Sequence, residues 1–271
     1  MSERIIGMQP WFETPPGRYL HQWEQACLDQ SVADLFGYHA LQLGMPVIDG
    51  LRANRMPHRW LALPPGEDPA GHSGHLACDY DALPFDAASL DLVLLPHALE
   101  LSADPHATLR EVERVLVPEG RVVITAFNPA SLWGLRQRRA HVWRRLGFGR
   151  LYLPEAGEFL AWRRLRDWLR LLDFEVEVHR FGCWRPAMDS ERWLARFDWM
   201  DAAGERWWPF FGAAHCIVAV KRVRGARLVG ATWKRQATIA GATVPLARKA
   251  GAERREVALR GEADPITLDV L

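Results

Sequence analysis

Some polar residues that could bind a ligand or move a proton stand at the ends of apolar runs. Asp79 closes the run at residues 75–79, and Pro96 and His97 follow the run at residues 90–95. A carboxylate at such a position could accept hydrogen bonds from a ligand, and an imidazole could act as a general base. Glu100, one helical turn after His97, is a second candidate base. A histidine after a strand often only packs or forms a hydrogen bond, so both roles stay open for His97.

A second group of candidate residues closes the first apolar run, at residues 38–44. Gly44 ends this run, and Gln42 precedes it by two positions. Glycine lacks a Cβ, so its backbone can approach a ligand closely. The amide of Gln42 offers both a donor and an acceptor.

The elements that must position these residues alternate along the chain. Apolar runs predict about seven strands, at residues 38–44, 59–63, 75–79, 90–95, 121–127, 174–179 and 215–220. Helical patterns lie between them, including one that Asp104 caps and Pro105 begins. Strands separated by helical crossovers predict a parallel sheet buried on both faces. Ligands bind outside the carboxyl ends of such strands, so Gly44, Asp79 and Pro96 should share one edge.

The stretch CDYDALPF at residues 78–85, followed by SLDLV at 89–93, closely resembles a signature of class I S-adenosylmethionine-dependent methyltransferases. It is most similar to their type 11, small-molecule branch. The resemblance continues through HALE at 97–100, LREVERVL at 109–116, PEG at 118–120 and FNP at 127–129. It spans about residues 38–130, and the strand pattern extends it to about residue 222. The implied fold is a Rossmann-like α/β/α sandwich with a seven-stranded, mostly parallel sheet, and the implied cofactor is S-adenosylmethionine.

This resemblance also implies roles for individual residues. In the family, the acid after the third strand accepts a hydrogen bond from the adenine amino group, and the next backbone N–H meets the ring. By position these are Asp79 and Tyr80. Gly44 matches the first glycine of the family's glycine-rich loop. Pro96 lies at the cofactor edge, and His97 is the candidate catalytic residue.

The glycine-rich loop itself departs from the family pattern. Gln42 stands where the family has an acid, and Pro46 and Ile48 stand where it has two further glycines. Gln42 could still hydrogen-bond the methionine end of the cofactor. The family's ribose-binding acid after the second strand is also absent, and Glu67 is among the nearest acids.

Three functions are compatible with these residues. The first is a methyltransferase that acts on a small molecule, since methyl transfer needs alignment in a dry pocket more than a base. The second is a catalytically degenerate relative that serves as a binding or scaffold protein, as the altered loop suggests. The third is an RNA methyltransferase, which rests on the arginines at residues 136–150 and the basic end of the chain. Those arginines could grip phosphates or form a solvated helix face.

A tryptophan-rich insert occupies residues 184–212, between the last two strands. Trp193, Trp199, Trp207 and Trp208 could form a lid over a flat or apolar substrate, or could fix the insert to the sheet. The methyltransferase-like domain is expected over residues 1–222. The basic, aromatic-poor residues 223–271 are expected to form a disordered tail.

Composition and motifs exclude several other classes. The net charge is +1 over 271 residues, so the whole molecule should not steer nucleic acid by its long-range field. The 4 cysteines are far apart and the histidines lack partners at ligand spacing, so no metal site is expected. No P-loop and no GxSxG elbow occur. No leader or membrane-spanning run is visible, which predicts a cytoplasmic protein.

Overall fold

A single seven-stranded sheet forms the centre of the protein. The computed structural model describes residues 8–67, 75–145, 151–154 and 159–222. The strands are β1 (His39–Leu43), β2 (His58–Leu63), β3 (His75–Ala77), β4 (Leu90–Pro96), β5 (Leu116–Phe127), β6 (Phe174–Gly182) and β7 (Ala214–Lys221). They lie in the order β3-β2-β1-β4-β5-β7-β6. Neighbours from β3 to β5 are parallel, whereas β7 is antiparallel to both β5 and β6. The predicted mostly parallel sheet is confirmed.

Helices cover both faces of this sheet. They are α1 (Met8–Phe12), α2 (Pro15–Val32), α3 (Ala98–Leu101), α4 (Pro105–Val115), α5 (Leu132–Arg145), α6 (Trp162–Leu171), α7 (Glu191–Arg196) and α8 (Trp199–Trp207), with a 3₁₀ turn at Pro209–Phe211. The helix predicted after Asp104 is α4, and its cap is present. The Asp104 carboxylate accepts hydrogen bonds from the backbone N–H groups of His106 and Ala107, each at 3.0 Å.

Alternate residues of the central strands face two separate cores. Leu92 and Leu94 of β4 pack in one core with Leu20 and Leu28 of α2. Their neighbour Val93 packs in the other core, which also contains apolar residues of α4 and α6. Central strands buried on both faces explain the continuous apolar runs in the sequence.

The connection from β1 to β2 differs from the expected helical crossover. Residues 44–57 form turns and contain no helix. Pro46, Gly50 and Pro57 fall within this short segment, and both residue types disfavour helix interiors. The core on this side is completed by loop side chains instead, which are Met45, Ile48, Leu51 and Met56.

The first two helices form a tight pair at one end of the fold. A Cβ on Gly17 would lie 2.1 Å from the carbonyl oxygen of Trp11, so only glycine allows α1 to approach the start of α2 this closely. This contact places Trp11 and Phe12 in the core.

The division of the chain into a domain and a tail stays a prediction. The expected disordered tail at residues 223–271 lies outside the residues that the structure describes.

Candidate functional site

The carboxyl ends of β1, β3, β4 and β5 meet at one edge of the sheet, hereafter the carboxyl edge. Gly44 directly follows β1, Asp79 lies two residues after β3, Pro96 is the last residue of β4, and Asn128 directly follows β5. The structure therefore brings the sequence-predicted ligand residues to the same edge, where open α/β sheets bind ligands.

Gly44 has the left-handed backbone conformation that favours glycine. Its φ is +72°, and a Cβ there would lie 2.6 Å from the hydroxyl oxygen of Tyr80. Its backbone N–H donates to the carbonyl of Ala62 at 2.8 Å, which ties the end of β1 to β2. The glycine thus leaves room for a group that lies against the loop, and Tyr80 supplies that group here.

Tyr80 reaches from the loop after β3 to the loop after β1. Its side chain is 6% exposed, and its hydroxyl has no hydrogen-bond partner among the described residues. Burial raises the pKa of Tyr80 well above its usual value, and the nearby Glu67 and Cys78 raise it further. A buried hydroxyl without a partner is energetically unfavourable.

Asp79 and Glu67 are carboxylates in the loops after β3 and β2. Asp79 is exposed directly before Tyr80, and no described residue forms a hydrogen bond with its side chain. Glu67 is half-buried after β2, and burial raises the pKa of its carboxyl. Its influence on Tyr80 places Glu67 on this side of the sheet.

Gln42 uses both ends of its amide within the loop after β1. Its Nε2 donates to the carbonyls of Gly44, Met45 and Ile48 at 3.1, 3.2 and 2.7 Å. Its Oε1 accepts from the N–H of Gly50 at 3.0 Å. The sequence predicts that this amide reaches the cofactor. In the structure the buried side chain holds the loop in place instead, because its donors are already used by backbone carbonyls.

His97 lies at the end of β4, directly after the buried Pro96, and forms the centre of a buried charged cluster. Its Nδ1 is 2.5 Å from Glu100 Oε2, and its Nε2 is 2.8 Å from Glu24 Oε1. All three side chains are completely buried. Burial alone would lower the pKa of His97, but the two carboxylates outweigh it and raise the pKa to about 10. Burial also raises the pKa of Glu100.

This cluster does not support a catalytic base at His97. A protonated imidazole donates through both nitrogens and has no lone pair left to accept a proton from a substrate. The group instead fixes four elements to one another. Glu24 comes from α2, Glu100 from α3, and the second oxygen of Glu100 accepts from the N–H of Phe127 at 2.8 Å.

Glu24 is the member of the cluster that sequence analysis missed. It lies on the same face of α2 as the buried Leu20, Cys27 and Leu28, at helical spacing. An acid on the buried face of an amphipathic helix was the available signal, because such a group needs a partner.

Aromatic side chains fill the space above β4 and β5. The rings of Phe12 and Phe127 lie 6.1 and 4.6 Å from His97, and Trp11 lies 5.7 Å from Phe127. The indole N–H of Trp11 donates to the carbonyl of Tyr152 at 2.8 Å. The aromatic cover of this edge therefore comes from α1, at the start of the described chain.

The tryptophans of the insert differ in exposure. Trp193, Trp199 and Trp207 are 51%, 58% and 73% exposed. Trp184, by contrast, is buried and donates from its indole N–H to the carbonyl of Trp208 at 3.2 Å. Of the five tryptophans of the insert, one is therefore buried and three are exposed, and Trp208 is half-buried.

A groove of about 790 Å³ opens between α2, β6 and α8. Its walls include Tyr19, Trp23, Phe181, Trp184 and Glu205. Glu24 does not line the groove, but Cys27, from the same buried face of α2, does.

Asn128 acts as an anchor for the insert. Its side-chain amide donates to the carbonyls of Phe210 and Gly212 at 2.8 and 2.9 Å, and its oxygen accepts from the N–H of Ala130 at 3.0 Å.

The described residues include no group of three or more His, Cys, Asp or Glu side chains placed to hold a metal ion.

Comparisons with known proteins agree with this architecture. The Methyltransferase domain family matches residues 66–124. The chain is 30% identical over 177 residues to the uncharacterized protein YafS of Escherichia coli K12, covering 65% of this chain and 69% of that one.

Two solved structures share the fold. One is a Haloferax volcanii methyltransferase in complex with the activator Trm112, with a TM-score of 0.53 and 18% identity over 80% of this chain and 97% of that one. The other is an S-adenosylmethionine-dependent methyltransferase of Thermotoga maritima, with a TM-score of 0.52 and 14% identity over 75% and 92%. The chain belongs to the class I S-adenosylmethionine-dependent methyltransferases, in their type 11 branch, and shares its family with YafS. S-adenosylmethionine is the cofactor of this class.

Proposed function

We propose that the protein transfers the methyl group of S-adenosylmethionine to a small-molecule acceptor. The cofactor lies along the carboxyl edge, against Gly44, Asp79, the backbone of Tyr80, and Pro96. The observation that carries this proposal is the exposed Asp79 carboxylate directly after β3, beside a loop in which Gly44 leaves space for a ligand.

The residues at this edge fit the cofactor in chemical type. Asp79 can accept a hydrogen bond from the adenine amino group, and the Glu67 carboxylate can accept from hydroxyl groups such as those of a ribose. S-adenosylmethionine supplies an activated methyl group, so the chain needs to orient the reactants and exclude water. The charged cluster of Glu24, His97 and Glu100 contributes by fixing the end of β4, not by moving a proton.

The Tyr80 side chain obstructs the cofactor site. The Tyr80 ring occupies the space between the loops after β1 and β3, which the cofactor would have to cross. Binding therefore requires this ring to turn out of the edge. Its hydroxyl has no partner among the residues that the structure describes, which makes the buried position less favourable than that of a fully satisfied core residue.

The acceptor we propose is a small apolar or aromatic molecule. Support comes from the aromatic surroundings of the end of β5, where Trp11, Phe12 and Phe127 are buried and the half-buried Phe159 lies 5.4 Å from Phe127. Aromatic walls suit a flat or apolar substrate better than they suit a phosphate backbone.

Titration calorimetry with S-adenosylhomocysteine tests the cofactor site. The hydrogen bond that the adenine amino group donates to Asp79 is charge-assisted and is worth about 1.5–3 kcal/mol. Asp79→Ala should therefore weaken binding by roughly tenfold to a hundredfold. Asp79→Asn should weaken binding less than Asp79→Ala does, because its amide oxygen can still accept the hydrogen bond.

Asp81→Ala is the matched control for this experiment. Asp81 is exposed two residues further along the same loop. Its removal should leave the affinity unchanged. Equal affinities of the Asp79→Ala and Asp81→Ala variants, both folded by circular dichroism, would show that the adenine site is elsewhere.

A degenerate binding protein is the second candidate function. The Tyr80 ring at the edge and the backbone-bound amide of Gln42 favour it, since both occupy positions that the family uses for its cofactor. Absence of S-adenosylhomocysteine binding at millimolar ligand, in the wild type and in Tyr80→Ala alike, would establish this function over the first.

A further inference from the structure

The outer face of α5 carries an apolar stripe that no described part of the chain covers. Leu132, Leu135, Val142 and Trp143 are 48–59% exposed. At 3.6 residues per turn these four positions fall within an arc of roughly 100°. Single exposed apolar residues are ordinary on protein surfaces, but four on one helix face form a patch.

The inner face of the same helix is firmly held. Trp133 is buried and donates from its indole N–H to the carbonyl of Arg185 at 2.8 Å. The Gln137 side-chain oxygen accepts from the N–H groups of Tyr152 and Leu153 at 3.0 and 2.9 Å. These contacts fix the orientation of α5, so the stripe cannot turn inward to bury itself.

The charge of α5 is entirely positive. Its sequence, LWGLRQRRAHVWRR, contains five arginines and no acid. Arg138 and Arg139 are exposed, and helical geometry places Arg139 within the stripe and Arg138 beside it. Arg136 already has a partner within the protein, because its guanidinium donates to the Asp189 carboxylate at 2.9 Å.

We propose that the outer face of α5 binds the surface of a lipid bilayer that contains anionic lipids. The stripe enters the boundary between headgroups and acyl chains, while Arg138 and Arg139 contact lipid phosphates. An amphipathic helix with apolar and aromatic residues on one face and arginines beside them is typical of such surface binding. No described helix is long and apolar enough to cross a membrane, so the contact is with its surface.

The apolar residues favour lipid over nucleic acid as the partner. An RNA backbone would pair with the arginines, and a base could stack on Trp143. Leu132, Leu135 and Val142 would gain nothing from that contact, whereas a bilayer removes all of them from water.

Flotation of the full-length protein with vesicles tests this proposal. The vesicles are phosphatidylcholine, with and without phosphatidylglycerol. The wild type should bind those that contain phosphatidylglycerol, and higher salt should weaken the binding. Val142→Ser combined with Trp143→Ser should reduce binding about tenfold or more, because each exposed side chain loses its transfer into the interface.

A second variant examines the charge. Arg138→Glu combined with Arg139→Glu should reduce binding about tenfold or more, since each reversal replaces attraction by repulsion at an anionic surface. All four positions are exposed, so the variants should keep the unfolding temperature of the wild type.

Matched controls come from α6. Leu171 is 75% exposed there, and Arg163 and Arg170 are exposed on the same helix. Leu171→Ser, and Arg163→Glu combined with Arg170→Glu, should leave vesicle binding unchanged. Equal losses in the α5 and α6 variants would overturn the proposal, and so would vesicle binding that survives both α5 variants. Binding of a single-stranded RNA oligomer, sensitive to the α5 arginines, without any vesicle binding would also overturn it and assign this face to nucleic acid.

Discussion

The charged cluster at His97 illustrates how a buried ionisable group is retained. Moving a charge out of water is costly unless partners replace the lost hydration. Glu24 and Glu100 supply those partners on the two ring nitrogens, and Phe127 N–H satisfies a further oxygen. Removing Glu24 or Glu100 should therefore destabilise the protein far more than removing a carboxylate from its surface.

Raising the pH should destabilise the protein through His97. Its pKa of about 10 in the folded state lies above the ordinary value of 6.5. The folded protein thus holds this proton more tightly than the unfolded chain does. The stabilisation is fully present below pH 6.5 and is lost as the pH rises through 10. We expect the unfolding free energy to fall by on the order of 5 kcal/mol across this window, measured by urea unfolding.

Glu24→Gln provides the variant for this experiment, and Glu205→Gln its control. Without the Glu24 charge the pKa of His97 falls, so the loss of stability should begin at a lower pH. Glu205 is exposed on α8, and its amide variant should follow the wild-type profile. If Glu24→Gln also follows the wild-type profile, the proton on His97 does not govern this pH dependence.

Tyr80→Ala should bind S-adenosylhomocysteine about tenfold more tightly than the wild type, because no ring has to leave the edge before binding. The same variant should lose about 2–4 kcal/mol of stability, since it empties a buried site. Calorimetry and urea unfolding measure the two effects separately.

Tyr80→Phe separates the ring from its hydroxyl. It keeps the ring in the edge and removes the unpartnered oxygen, so its affinity should stay near that of the wild type. Its stability should rise by about 1 kcal/mol. Equal affinity of Tyr80→Ala and the wild type would show that the ring does not obstruct the ligand.

The place of a residue in the fold was predictable from the sequence where that residue lies at the end of one strand. Asp79 follows an apolar run, and Gly44 closes another, so both could be assigned to the carboxyl edge. The environment of His97 could not be assigned in this way. Its partner Glu24 is 73 positions away, and only the packing of α2 against the sheet brings the two together. The inward direction of the Tyr80 ring likewise depends on the loop after β1.

Among the elements, the strands and α4 were the most predictable, because period and caps are local signals. The connection between β1 and β2 was the least predictable. This connection consists of turns where a crossover helix was expected. The hydrogen bonds of the Gln42 side chain help to order its backbone.

Gln42→Glu should destabilise this loop although it restores the acid that the family carries. A carboxyl group has at most one donor, whereas the amide N–H groups of Gln42 serve three carbonyls. Buried carbonyls that lose their donors should cost about 2–4 kcal/mol, measured by urea unfolding. Gln22→Glu, exposed on α2, is the control and should have little effect. Wild-type stability of Gln42→Glu would mean that the loop does not depend on these donors.

At the scale of the whole molecule, two regions compete as the place where a ligand binds. The carboxyl edge has the family's contacts, but the Tyr80 ring fills it. The groove between α2, β6 and α8 is open and lined by aromatic rings, but its walls include none of the family's cofactor positions Gly44, Asp79 and Pro96. Hydrogen exchange in the intact protein distinguishes the two, because a ligand slows exchange where it orders the backbone.

S-adenosylhomocysteine should protect the half of the sheet that contains β1 and β3. The loops after these strands must close around the ligand once Tyr80 leaves, so exchange should slow at residues 42–50 and 79–83. Residues 174–182 and 214–221 pair with each other as β6 and β7 and should exchange at the same rate with and without ligand. Mass spectrometry of peptic peptides measures all four segments in one experiment. Protection at β6 and α8 with none at 42–50 would place the ligand in the groove and contradict a cofactor site at the carboxyl edge.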